Sequence, residues 1–147
     1  MRFTLLALTC LVMTAPALAG GVAMIEGPVS ARVLRIIDGD TLLVRARPWP
    51  QYEVETYVRL RGVDAPELKS PCRGERRAAE DARLVLASIL PAETEVTLSR
   101  ISGDKYFGRI LADVVSEDGI DPASDLLNAG LVRRYGGGKR QPPACQN

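Results

Sequence analysis

Apolar and polar positions alternate with period two through most of residues 30–62 and again through 93–115, whereas residues 73–90 follow a helical period. Residues 30–46 read as two strands around a tight turn at Asp38-Gly39. Pro48 and Pro50 mark a loop. Tyr52 to Gly62 is a third strand, with Val54, Thr56, Val58 and Leu60 on one face and Glu53, Glu55, Tyr57, Arg59 and Arg61 on the other. Between 73 and 90, Ala78, Ala82, Val85, Leu86 and Ile89 recur at the spacing of one buried helical stripe, and Pro91 stops the helix. Glu93 to Arg100 alternates with Val96 and Leu98 inward, a turn follows at Ser102-Gly103-Asp104, and Gly108 to Val115 makes a fifth strand. Residues 122–130 form a short helix ended by Gly130.

Three strands, a helix, two strands and a terminal helix suggest a mainly β protein: a small five-stranded closed barrel with about two helices packed outside, an OB-fold. No internal repeat is present. The barrel domain is expected over residues 31–135, after a flexible stretch at 20–30 and before a Gly- and Pro-rich tail at 136–147. The chain of 147 residues is the size of one domain with one modest core.

Ahead of this domain, Arg2 and the apolar run Leu5 to Ala19, ending Ala17-Leu18-Ala19 before Gly20-Gly21, read as a secretory signal peptide over residues 1–19. The run is shorter than the ~20 residues of a membrane span. Cys10 lies inside it, preceded by residues that match lipid attachment poorly. Secreted or periplasmic export is the expectation. Removal of residues 1–19 takes one base, Arg2, and no acid, which brings the formal charge of +1 to zero. No overall basic field then draws in a polyanion, so any nucleic-acid contact must come from local Arg and Lys. Cys72 and Cys145 remain. They are either free thiols or one disulfide, and an oxidising compartment favours the disulfide.

The chain has no histidine. This excludes Ser-His-Asp and Cys-His nucleophile systems and every imidazole zinc site. Chemistry must come from Asp, Glu, Arg, Lys and Tyr. Asp38-Gly39-Asp40-Thr41 places two carboxylates beside a turn, and Val63-Asp64-Ala65-Pro66-Glu67 places two more where the third strand ends. Taken singly, the first is most simply a hairpin turn. It is not an EF-hand loop, because Leu42 and Leu43 stand where an Asx and a Gly are needed. Together the four acids invite a hard cation with oxygen ligands, or arginines that neutralise them. Arg59, Arg61 and Arg109 supply planar forks able to grip phosphate oxygens. Arg73, Arg76, Arg77 and Arg83 alternate with Glu75, Glu80 and Asp81, the pattern of a solvated, ion-paired helix face. Gly136-Gly137-Gly138-Lys139-Arg140 lacks the features of a phosphate-binding P-loop.

Asp38-Gly39-Asp40-Thr41, Arg59-Leu60-Arg61-Gly62-Val63-Asp64-Ala65-Pro66-Glu67 and Asp104-Lys105-Tyr106-Phe107-Gly108-Arg109 resemble, in order and spacing, the motifs of the thermonuclease (staphylococcal nuclease) family. The similarity runs from about residue 31 to 135. The resemblance implies a Ca²⁺-dependent phosphodiesterase that cuts DNA or RNA at the 5′ P–O bond and leaves 3′-phosphates, with Mg²⁺ the less favoured cation. Asp40, Asp64 and the backbone carbonyl of Ala65 would be the metal ligands. Glu67 would activate or position the attacking water, and Arg59 and Arg109 would clamp the phosphate. Lys105, Tyr106 and Tyr135 would contact the substrate. The implied protein is a monomer with no stable membrane association once the signal is removed.

Two departures stand out. Phe107 interrupts what the family has as contiguous Tyr-Gly-Arg, so either Tyr106 is displaced or the turn absorbs one residue. After Tyr135 the chain continues as glycines, not a long helix, and Tyr135 either packs on a nucleotide base or caps the core. The alternative from another class is a catalytically silent OB module that binds single-stranded nucleic acid or another polyanion. Asp40, Asp64, Glu67, Arg59 and Arg109 are all present, and aromatic residues make up only 5% of the chain; both facts favour the enzyme.

Overall fold

A computed structural model describes residues 23–138 and Cys145. The signal segment 1–19 and Lys139-Arg140 lie outside the described residues. The strands are β1 (Met24–Ile25), β2 (Val29–Asp38), β3 (Thr41–Trp49), β4 (Tyr52–Leu60), β5 (Val63–Asp64), β6 (Glu95–Gly103), β7 (Arg109–Ser116) and β8 (Arg133–Arg134). Helix α1 (Arg73–Ile89) follows β5, and α2 (Pro122–Asn128) follows β7.

β6, β2, β3, β4 and β7 pair in that order, and β6 pairs again with β7, so the sheet closes into a five-stranded barrel of OB type. All its ladders are antiparallel except β4–β7. The core is what the alternation demands: Val33, Leu42, Val44, Val58, Leu60, Leu98 and Ala112 point inward, and Leu86 and Leu126 of the two helices join the same core.

Several boundaries differ from expectation. Of the stretch 20–30, the described residues 23–30 are partly ordered into strands: β1 pairs with Ile101–Ser102, and β2 begins at Val29, whose side chain is in the core. β3 runs through Pro48, because a register shift between Ala46 and Trp49 leaves that position out of the ladder, where a missing N–H does no harm. β6 continues to Gly103, with an irregularity between Ser99 and Ser102 where Arg100 takes φ 46°, so the turn falls later, at Asp104–Gly108. The α1 stripe is Ala79, Ala82 and Leu86, with Ala78 exposed. At Gly39 an added Cβ would stand 2.7 Å from Ala82 Cβ and 2.8 Å from Ala65 Cβ. The helix seats Ala82 against the bare backbone of that turn.

Cys72 and Cys145 form a disulfide, with Cα atoms 5.3 Å apart. It ties the end of the tail to the residue that caps α1. Among the described residues, no helix is long and apolar enough to cross a membrane.

Candidate active site

Four strand ends meet on one side of the barrel. The β2–β3 turn delivers Asp40, and its cross-strand neighbour, Arg59 of β4, stands opposite Thr41. The Leu60 amide donates to the Asp40 carbonyl at 2.8 Å and locks the two segments together. Beyond Leu60 the chain must reverse within two residues. Gly62 makes this possible with φ 82°, a conformation that a side chain resists. The reversal returns β5 under Arg59, whose Nη1 donates to the Val63 carbonyl at 2.9 Å.

Arg59 thereby bridges both buried acids. Nη1 lies 3.0 Å from Asp40 Oδ2, and Nη2 lies 2.8 Å from Asp64 Oδ1. Asp40 also accepts from the Thr41 hydroxyl at 2.9 Å and from the Ala65 amide at 2.9 Å. Even so, burial raises the Asp40 pKa to about 6; Arg59 opposes the rise and Asp38 adds to it. Burial also works against the charge on Arg59, but Asp40, Asp64 and Asp104 outweigh it and hold the guanidinium above its ordinary range.

Arg109 begins β7, and Asp104 across the turn grips its Nε. Its guanidinium carbon lies 4.7 Å from the centre of the Tyr106 ring, which also receives Lys105 Nζ at 5.1 Å. The turn absorbs the extra residue: Phe107 is fully exposed, Gly108 takes φ 80°, and the Asp104 amide still closes on the Arg109 carbonyl. Tyr135 is half-buried in the site and absent from the core cluster, with its ring 5.5 Å from the Arg59 guanidinium.

Asp40, Arg59, Asp64, Ala65, Glu67, Lys105, Tyr106, Arg109 and Tyr135, each singled out in the sequence, line one cleft of about 1130 Å³. Glu67 is at its exposed rim, with its amide donating to Glu75 at 3.3 Å. The sequence did not disclose Arg133, whose Nη2 reaches Asp64 Oδ2 at 3.3 Å, because only the distant β5–β8 ladder sets Arg133 opposite Asp64. Nor did it disclose the orienting role of Asp104, for which the one available signal was its place across a hairpin from Arg109. Arg61 has a structural use, donating to Ser102 Oγ at 2.9 Å and the Leu111 carbonyl at 3.1 Å across the β6 irregularity.

The cleft of this OB-type barrel thus combines two buried carboxylates with the guanidinium groups of Arg59 and Arg109. The profile of the family described as staphylococcal nuclease homologue matches residues 57–144, more than half of the chain, and the chain belongs to that family. The match takes in Arg59, Asp64, Glu67, Arg109 and Tyr135; Asp40 precedes it and reaches the same cleft by barrel closure. A search of curated proteins finds no match.

Proposed function

We propose that the protein is an exported, Ca²⁺-dependent nuclease that hydrolyses DNA or RNA at the 5′ P–O bond and leaves 3′-phosphates. One observation carries the reading: two guanidinium groups, two buried carboxylates and a rim glutamate share a single cleft. The Cys72–Cys145 disulfide supports export, since such bonds persist in oxidising compartments.

The donor chemistry fits a hard cation. Asp40, Asp64 and the Ala65 carbonyl offer oxygen alone, and Asp40 is under-compensated by Arg59, so added positive charge favours its ionised form. When bound, Ca²⁺ would neutralise phosphate charge and act as a Lewis acid. The chain's own groups do the rest. Arg109, fixed by Asp104 and backed by Tyr106, presents its fork to a phosphate oxygen and stabilises the charge of the five-coordinate transition state. Arg59, whose fork bridges Asp40 and Asp64, adds positive charge to the same cleft. Glu67, at the open rim, accepts the proton of the attacking water. Tyr135 and Lys105 hold the flanking nucleotide.

A second reading has one observation behind it. Arg59 is committed to both carboxylates, and among the described residues no group of three or more acids or cysteines is arranged to hold a metal; a silent binding module has this arrangement too. Degradation of single- and double-stranded DNA with Ca²⁺ and with a chelator separates the readings. Ca²⁺-dependent cleavage, crippled in Glu67→Gln and Arg109→Ala, is the expected result. Binding without cleavage in any metal leaves the silent module.

A further inference from the structure

Outside the cleft, the outer face of the barrel divides into two halves. In the half away from the site, basic residues are matched: Arg32 pairs with Glu93 and Glu95, Arg45 with Glu53 and Glu55, and Arg47 with Glu95. Nearer the site, register aligns Arg35 of β2 with Leu43 of β3, Leu43 with Tyr57 of β4, and Tyr57 with Arg109 of β7. The neighbours that flank this row, Ile36, Leu42, Val44, Val58 and Ile110, all pack into the core, so the row itself faces out. Arg35 and Tyr57 are exposed and Leu43 is partly so. Among the described residues Arg35 makes no ion pair, unlike the other arginines of β2 and β3.

This row is a ready surface for a polynucleotide strand. It begins at the phosphate-gripping Arg109, crosses an aromatic ring and an aliphatic side chain, and ends at an uncompensated guanidinium. Three strand spacings separate its ends, about 14 Å at ~4.8 Å each. An unpaired base can lie on the face of Tyr57 against Leu43, and the phosphate beyond it meets Arg35. We propose that Arg35, Leu43 and Tyr57 form a subsite for the nucleotide next to the one held at Arg109. The proposal rests on the nuclease reading for its substrate class, and it adds a determinant of affinity outside the cleft.

Binding measured in a chelator, where no strand is cut, tests it apart from catalysis. The probes are a single-stranded hexanucleotide and a mononucleotide 3′,5′-bisphosphate, followed by fluorescence anisotropy and calorimetry. Tyr57→Ala is expected to raise the hexanucleotide Kd about tenfold, and Tyr57→Phe to restore it. Arg35→Ala is expected to lower the slope of log Kd against log salt by about 0.7. The mononucleotide Kd should move less than twofold in each. A hexanucleotide Kd unchanged in Tyr57→Ala, an unaltered salt slope in Arg35→Ala, or an equal loss toward the mononucleotide overturns the subsite. So does a hexanucleotide that fails to bind the unsubstituted protein. Absence of Ca²⁺-dependent cleavage would instead remove the nuclease reading and leave these binding shifts standing.

Discussion

Arg133 faces Asp64 across the β5–β8 ladder, its Nη2 3.3 Å from Asp64 Oδ2, so this buried acid meets a second guanidinium besides Arg59. Arg133 is half exposed, and its contribution to stability is small. Its charge, however, opposes any cation that approaches Asp64. Arg133→Ala is expected to tighten Ca²⁺ binding severalfold, given about 1 kcal/mol for unit charges 4 Å apart in water. Calorimetric titration checks this, and a weaker Ca²⁺ affinity would show that Arg133 organises the site.

Arg109 is positioned by Asp104. On the proposed nuclease reading, Arg109→Ala removes a transition-state donor and should lower kcat by roughly 10²–10³. Asp104→Ala leaves the donor present but free to swing, and should cost less, about tenfold. Steady-state kinetics on one substrate ranks the two. The reverse order would contradict the positioning role.

The Asp40 pKa, raised to about 6 by burial from an ordinary value of 3.8, makes stability depend on pH. The folded state holds this proton more tightly than the unfolded chain. Its stabilisation is therefore complete below about pH 4 and is lost as pH rises through about 6. In a chelator the loss from this one group reaches up to about 3 kcal/mol. Urea unfolding at pH 4 and 7 should show it in the wild type and not in Asp40→Asn. An identical pH difference in both proteins would place the titration elsewhere.

Gly39 allows the close approach of α1 to the Asp40 turn. Gly39→Ala is expected to destabilise by about 1–3 kcal/mol and to lower activity through displacement of Asp40 and Ala65. Ala82→Gly added to it should recover part of the activity although it weakens the helix, a non-additivity that a double-mutant cycle measures.

The Cys72–Cys145 bond joins residues 73 positions apart. Paired Cys→Ser substitution should lower the unfolding free energy by up to about 4 kcal/mol. Denaturation with and without reductant provides the check, since the doubly substituted protein should no longer respond to reductant.

The five barrel strands, the main helix, and Asp40, Asp64, Glu67, Arg59 and Arg109 of the cleft were legible in the amino-acid sequence, because alternation, Asp-Gly turns and proline stops act over a few neighbouring residues; β1, β5 and β8 were not. Asp40-Thr41, Arg59 and Asp64-Ala65 could be named from their motifs alone. Their relations could not. That Arg59 spans Asp40 and Asp64, that Arg133 closes on Asp64, and that Arg35, Leu43 and Tyr57 line up with Arg109 all follow from barrel closure and strand register. The α1 stripe likewise includes Ala79 and not Ala78, and the close seating of Ala82 on the bare backbone of Gly39 is a contact between segments that no local period announces. Local periodicity determines which residues face inward. Only packing among segments distant in the chain determines which charges share a low-dielectric space, and that sharing sets the pKa of Asp40 and the partners of each guanidinium.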